Sequence, residues 1–480
     1  MQSVRLSLKT QKFPPVLAAA SISTVLIAAL LTMRGVSITP DSATYLVTAR
    51  NLVEGRGYLG FDGRHMVSFP PGYPVALAAA MILGGLSPEG AAIAISIVCI
   101  FAAVFGFGSI LTELVRGKST RAWIFVGSCV FGLSFSMIQA TTTAWSEPLF
   151  LVLIIWAAAL QISPKIPSRR RGLLIGLLLG AAVLTRTAGV FAVMAALIIF
   201  LMRRQYKWAG YVGLMGFLPA ISWSLVNTYQ AGSSTVQRGV SADGVVEVVG
   251  RGLATMVQWF SPGIGPIVIQ ALAGILIGGL IVGVAVLGFR DWKCLLVPAI
   301  YFVVLAACTF GTRILVAMDD LGPRLLIPLL PFALLCVITT LARNKYKKIA
   351  ILAAGLMIVA TSAATIAQES EKADTLAFNE IIADSCKFIP SGLVVSNAPA
   401  ILAYECDRTV IPAPRSHLYE SSITLDELPA LRALMQVECI SLSYFHQLAG
   451  DYYLKWSEIQ SGASMQTLAY EEKFSIATSC

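Results

Sequence analysis

From residue 16 to residue 367 the chain repeats one pattern: an apolar run close to the roughly 20 residues that cross a bilayer, then a short segment rich in lysine and arginine. A soluble domain carries about 25% charged residues. Here 13% of the 480 residues are charged and 56% are hydrophobic, too little charge to coat a water-facing surface. The pattern predicts an all-α polytopic membrane domain.

Charge then sets the topology. The segments 1–13, 115–121, 164–171, 203–207, 290–293 and 343–348 hold 19 of the 35 basic residues and a single acid, Asp291. The positive-inside rule puts all of them on the cytoplasmic side, so each interval between them crosses the membrane an even number of times. About eleven spans satisfy this: 16–33, one near 91–114, two within 122–163, a hairpin over 172–202, and 208–228, 264–289, 294–311, 324–342 and 349–367. Residues 73–86 are apolar but too short for a span, which suits a re-entrant or interfacial helix. The first span follows a basic head (Arg5, Lys9, Lys12) and no small-residue cleavage site comes after it. It is expected to be an uncleaved anchor with its N-terminus in the cytoplasm.

The first outer loop is then 34–90, and the tail from 368 to 480 lies outside the cytoplasm. That tail holds 15 acids and 7 bases, against 11 and 28 in the rest of the chain. The sign switch marks a boundary between a membrane domain, 1–367, and a small extracytoplasmic α/β domain, 368–480. Strands are expected at Gly392-Leu-Val-Val-Ser and Arg408-Thr-Val-Ile, and a helix over 425–435. Cys99, Cys129, Cys294, Cys308 and Cys336 lie in spans and read as packing residues. Cys386, Cys406, Cys439 and Cys480 lie in the tail, where an oxidising compartment permits disulfides, with Cys386–Cys406 the favoured pair.

Charged residues flanked by apolar sequence are costly and mark function or pairing. In Thr39-Pro-Asp-Ser-Ala-Thr-Tyr, Pro40 and Asp41 open a helix on which Asp41, Tyr45 and Thr48 share a face. Asp41 is either its cap or a general base for a hydroxyl. In Gly60-Phe-Asp-Gly-Arg-His, Arg64 and His65 reach a phosphate or are merely solvated. Glu147 sits at the outer turn within 122–163 and Arg186 near the apex of the 172–202 hairpin, as a catalytic acid and a phosphate ligand or as a structural pair. Arg324 begins a later span, as a phosphate ligand or as a snorkelling interfacial arginine. Carboxylates and arginines brought to one membrane face suit a glycosyl phosphate donor: arginine forks neutralise the leaving phosphate while a carboxylate takes the proton of the attacking hydroxyl. Asp319 and Asp320 are candidate cation ligands, but adjacent exposed acids are usually only solvated, and no metal site is expected.

The order Asp41…Tyr45…Ala49-Arg50-Asn51-Leu52, Pro70-Pro71-Gly72-Tyr73-Pro74, Ser146-Glu147-Pro148, Leu184-Thr185-Arg186 and Arg324…Pro328…Pro331 resembles the protein O-mannosyltransferases and lipid A aminoarabinose transferases, over about residues 14–342. The resemblance implies the GT-C fold and inverting transfer of a sugar from a polyprenyl phosphate to a hydroxyl acceptor (lipid, glycan or protein) on the outer face of a membrane, such as a bacterial inner membrane. It implies Asp41 as the catalytic carboxylate, Glu147 as the second acid and Arg186 at a basic position; Tyr45, Arg64, His65 and Arg324 are the further candidates around the donor phosphate. No tightly bound cofactor and no nucleic-acid partner are expected. Ser42 stands where the mannosyltransferases have the second member of an Asp-Glu pair, and Phe69 and Pro70 where the aminoarabinose enzymes have a lysine, so acceptor identity does not carry over. A secondary transporter and a non-catalytic lipid-binding protein remain the alternatives.

Overall fold

The computed structural model describes residues 14–33, 35–115, 120–163, 168–235, 238–241, 243–260, 292–343, 369–415, 427–435, 438–446, 453–463, 465–470 and 474–479. The expected spans 264–289 and 349–367 lie outside the described residues. Among those described, five helices are long and apolar enough to cross a membrane, or six when a bent pair is joined. The chain is a multi-pass membrane protein.

Helix α1 (Pro14–Thr32) leads through a short extended segment to α2 (Pro40–Val53), α3 (Gly72–Gly84) and the long α4 (Pro88–Leu114). The span expected first within 122–163 is bent by 52° into α5 (Thr120–Gly132) and α6 (Phe135–Thr142). Ser134 takes an extended backbone at the break and donates its hydroxyl to the Phe131 carbonyl at 2.7 Å, a side-chain substitute for the interrupted helix ladder. Then follow α7 (Glu147–Ile162), α8 (Ser168–Thr185), α9 (Gly189–Met202), α10 (Tyr206–Ala231), α11 (Val245–Val257) and α12 (Trp292–Leu315). A short helix α13 (Pro323–Leu326) runs through a 3-10 turn into α14 (Leu330–Arg343). Helix α3 is the short apolar element expected over 73–86; it ends on Gly85 in the left-handed region.

Helix α4 packs against α1, α5 and α7, and α8 against α10. Lipid supplies little hydrophobic drive between helices, so close packing must do the work. Gly172, Gly176 and Gly180 line one edge of α8, and a Cβ on Gly180 would lie 2.5 Å from the Met215 carbonyl of α10. Stacked rings fill the interior, Phe107 on Phe131 and Tyr301 on Phe332, each pair 4.7 Å apart.

Two helices are shorter than the sequence pattern suggests. Helix α7 has 16 residues and α9 has 14, about 24 and 21 Å at 1.5 Å per residue, against a hydrocarbon layer of about 30 Å. Both start at a charged site, at Glu147 and just after Arg186, so that site is recessed below one face of the apolar layer.

The tail begins with α15 (Glu369–Ser385) and forms a five-stranded mixed sheet in the order β2-β1-β3-β5-β4. Strands β1 (Leu393–Ser396) and β2 (Val410–Pro412) fall where expected and are parallel, linked by α16 (Pro399–Cys406). Helix α17 (Leu428–Met435) lies within the expected 425–435. The sequence analysis did not foresee β3 (Ile440–Phe445), which is parallel to β1, nor the antiparallel β4 (Gln466–Tyr470) and β5 (Phe474–Thr478). Cys386 and Cys406 form a disulfide with Cα atoms 5.4 Å apart; Cys439 is also disulfide-bonded, and Cys480 lies outside the described residues. Cys99, Cys129 and Cys336 are buried free thiols.

This unit is seated on α2 and α3. Tyr45, Leu46, Tyr73 and Leu77 share one buried cluster with Ile401, Leu402 and Phe474. Arg50 donates to Asp407 at 2.7 Å and to the Tyr404 carbonyl at 2.9 Å. Burial, together with the Glu89 carboxylate, raises the Glu405 carboxyl above its usual range, against the pull of Arg50. A raised carboxyl favours the neutral form in the folded state, so this contribution is full below the ordinary carboxylate range and is lost as pH rises through the raised value. Glu405→Gln is expected to raise the melting temperature at pH 7 and to match the parent at about pH 4, read by differential scanning fluorimetry. Cys386→Ser is expected to destabilise the tail by about 3 kcal/mol, since the disulfide closes a loop of 20 residues; denaturant unfolding of the tail unit measures it.

Candidate functional site

Backbone contacts set two helix starts side by side. The Ser37 amide donates to the Thr142 carbonyl at 2.9 Å, and the Ala144 amide to Ser37 at 3.2 Å, which joins the approach to α2 to the approach to α7. Thr39, not Asp41, caps α2: its hydroxyl oxygen accepts from the Ser42 amide at 3.3 Å and also from the Trp145 indole at 3.1 Å. Asp41 is left in the first helical turn with its carboxylate about one third exposed. Glu147, two residues beyond Trp145, is fully buried.

Arg186 comes from the turn between α8 and α9. A Cβ on Gly72, at the start of α3, would lie 2.7 Å from the Leu184 carbonyl, so only glycine lets α3 brace this turn. Arg186 donates through Nη1 to Ser146 Oγ at 3.2 Å and to Glu147 Oε1. Arg324, in α13, lies over the Trp145 ring at 4.6 Å. It donates through Nε to Glu147 Oε1 and through Nη1 to Asp41 Oδ2, both at 2.5 Å. Arg324 is thus turned inward to two acids and does not snorkel. Tyr45 completes the floor, with its hydroxyl 3.4 Å from Ser146 Oγ; burial pushes its phenol up to about 12, so it stays protonated at neutral pH.

Asp41, Tyr45, Glu147, Arg186 and Arg324 therefore meet in one site. Their charges sum to zero, yet donors remain: Arg186 Nε and Nη2 and Arg324 Nη2 make no hydrogen bond among the described residues. Arg64 and His65 do not join it. The Arg64 side chain is exposed, and His65 is bonded to Asn227 at 3.0 Å on α10. Thr48 is buried beneath the site with its hydroxyl unpartnered.

A second charge network borders the first. Arg313, buried at the end of α12, donates to Ser241 at 2.8 Å, to Asp243, and to Asp320 at 3.1 Å; Asp320 also accepts from Arg251 at 3.0 Å. Asp320 thus serves two guanidinium groups. Burial, with the nearby charge of Asp41, raises the Asp319 carboxyl against the pull of Arg238, Arg324 and Arg313. Sequence reasoning passed over Arg313 and Trp145. The signal for Arg313 was an arginine in the last turn of an apolar span; Trp145 carried none beyond its place beside Ser146-Glu147. Among the described residues no three His, Cys, Asp or Glu side chains are grouped as a metal site.

No family model matches the sequence, and no curated protein matches it. Solved structures do match in shape. ArnT from Cupriavidus metallidurans in the apo state superimposes with a TM-score of 0.63 over 97% of both chains at 11% identity. The same enzyme bound to undecaprenyl phosphate gives 0.60 over 97% of this chain and 98% of that one, at 12% identity. The chain has the GT-C fold. The archaeal oligosaccharyltransferase AglB from Archaeoglobus fulgidus, in complex with an inhibitory peptide and a dolichol-phosphate, matches at 0.51 over 88% of this chain and 69% of its own, at 10% identity.

Within this GT-C fold Glu147 holds two arginines in a buried setting. Glu147→Ala strands both cations and is expected to destabilise the membrane domain by about 3–5 kcal/mol, seen as a large loss of thermal stability in detergent. An unshifted melting curve would show that the clamp carries no such weight.

Proposed function

We propose that the protein is an inverting glycosyltransferase that moves a sugar from a polyprenyl phosphate to a hydroxyl acceptor (lipid, glycan or protein) at the outer face of a membrane. The observation that carries this reading is Arg324 bridging Asp41 and Glu147 while Arg186 and Arg324 keep unspent N–H donors. The fold supports it, since the matching ArnT structure binds undecaprenyl phosphate and AglB was solved with a dolichol-phosphate. The full reading has about eleven spans, the N-terminus in the cytoplasm of a bacterial cell and the 368–480 domain outside it.

Asp41 is the base. Its carboxylate is partly exposed, whereas Glu147 is fully buried. The acceptor O–H gives its proton to Asp41 as its oxygen bonds the anomeric carbon. The bond from that carbon to the phosphate oxygen breaks on the opposite side, and its electron pair leaves with the polyprenyl phosphate. The phosphate gains a negative charge in this step, and the open donors of Arg186 and Arg324 stabilise it. Glu147 holds both guanidinium groups in place, and Tyr45, kept neutral by burial, lines the floor.

Purified protein in nanodiscs, given undecaprenyl-phosphate sugars, tests the reading through release of undecaprenyl phosphate and transfer to acceptor. Asp41→Asn is expected to fold and bind lipid phosphate but to transfer at least about a hundredfold more slowly; near-normal transfer removes Asp41 as the base. Arg186→Lys loses the planar fork and is expected to weaken lipid-phosphate affinity by about tenfold. Equal affinity in a binding titration takes Arg186 out of the donor site.

A further inference from the structure

The loop after α2 folds back as a tight hairpin. The Met66 amide donates to the Tyr58 carbonyl at 3.1 Å and the Gly60 amide to the Arg64 carbonyl at 2.8 Å, with Gly63 in the left-handed region at its tip. The hairpin carries His65 across to α10, where its Nε2 lies 3.0 Å from Asn227 Oδ1. Asn227 is buried, and its amide nitrogen donates to the Ser234 carbonyl at 3.2 Å. The Asn227 oxygen is therefore the acceptor and His65 Nε2 carries the proton of this bond.

Around this fixed imidazole stand two more rings. Tyr58 and Trp223 meet edge to face at 5.2 Å, and His65 lies 5.9 Å from Tyr58 and 5.7 Å from Trp223. All three are half-buried. The Tyr58 hydroxyl donates to the Phe69 carbonyl at 2.9 Å, and the Phe69 ring lies 4.6 Å from that of Tyr45 on the floor of the charged site. One side chain thus separates the aromatic group from the catalytic floor.

Aromatic residues at a membrane boundary often serve as anchors. Such an anchor projects outward, as Tyr229 does at 87% exposure on the same helix. Trp223 is instead turned against Tyr58 and His65, and a buried amide is committed to orienting the imidazole. Half-exposed ring faces beside a fixed polar edge suit a ligand with one apolar C–H face and a rim of hydroxyls, which is a sugar ring.

Resting on the transferase reading above, we infer that Tyr58, His65 and Trp223 form a platform for a glycan acceptor, one ring stacked on Trp223 and the next directed to Asp41. The acceptor class is then an oligosaccharide and not a peptide hydroxyl.

Saturation-transfer NMR on the full-length protein in nanodiscs, without donor, tests this with mannotriose, maltotriose and xylotriose as probes and a threonine-containing tripeptide amide as the rival. At least one trisaccharide is expected to bind, with affinity lowered about tenfold by Trp223→Leu and largely kept by Trp223→Phe. Asn227→Ala, which frees the imidazole, is expected to weaken the same binding. Binding of none of the three sugars, equal binding by Trp223→Leu, or binding of the peptide alone overturns the proposal. Undecaprenyl phosphate titrated into each variant verifies the fold. Release of undecaprenyl phosphate from donor reads the transferase proposal separately, so the failure of one is distinguishable from that of the other.

Discussion

A single buried carboxylate organises the molecule. Burying an ion costs several kcal/mol even after relaxation, and Glu147 has no exposure to recover that cost from water. Arg186 and Arg324 offset it by converging on Glu147 Oε1. They come from the α8–α9 turn and from the start of α13, so the buried charge fixes where those elements meet the start of α7. Arg324 extends the constraint to Asp41 and hence to the start of α2. Replacing buried ion pairs by apolar residues of similar volume often costs little in stability alone, which directs attention to what the charges do.

What they do follows from depth and neutrality. The short α7 and α9 place the site below the membrane surface, where attraction between charges is stronger than in water. With two acids set against two guanidinium groups, no ion in the site is left uncompensated. On the proposed reading, a phosphodiester donor meets guanidinium N–H groups already aimed and unspent, and little rearrangement is needed before reaction.

Much of this was legible in the sequence, and for one reason. Bilayer thickness converts composition into helices. The helix starts at Pro40 and Glu147 could be read for the same reason that Asp41 and Glu147 stood out, since charge beside an apolar run is rare. Three-dimensional partners were less visible. Arg64 and His65 are adjacent in sequence, but the hairpin turns one to solvent and the other into an aromatic group on α10. In β3, Ser441 and Ser443 alternate with large residues as in a half-exposed strand, yet they are buried: one face of β3 packs in the outer core and the other toward the cluster over α2. The bend at Ser134 falls within a stretch read as one span, where Gly132 and Ser134 are its signal.

The hairpin after α2 has one more contact, made away from α10. The Phe61 carbonyl accepts from the Val410 amide at 2.9 Å, and Val410 lies in β2, at one margin of the outer sheet. A strand margin with free amides recruits other chains; here part of it is occupied by a loop made long before the strand it meets. Synthesis therefore leaves the hairpin waiting through every intervening span. The sheet reaches its final form only when β2 returns to that early loop, so segments some 350 residues apart in sequence complete one another.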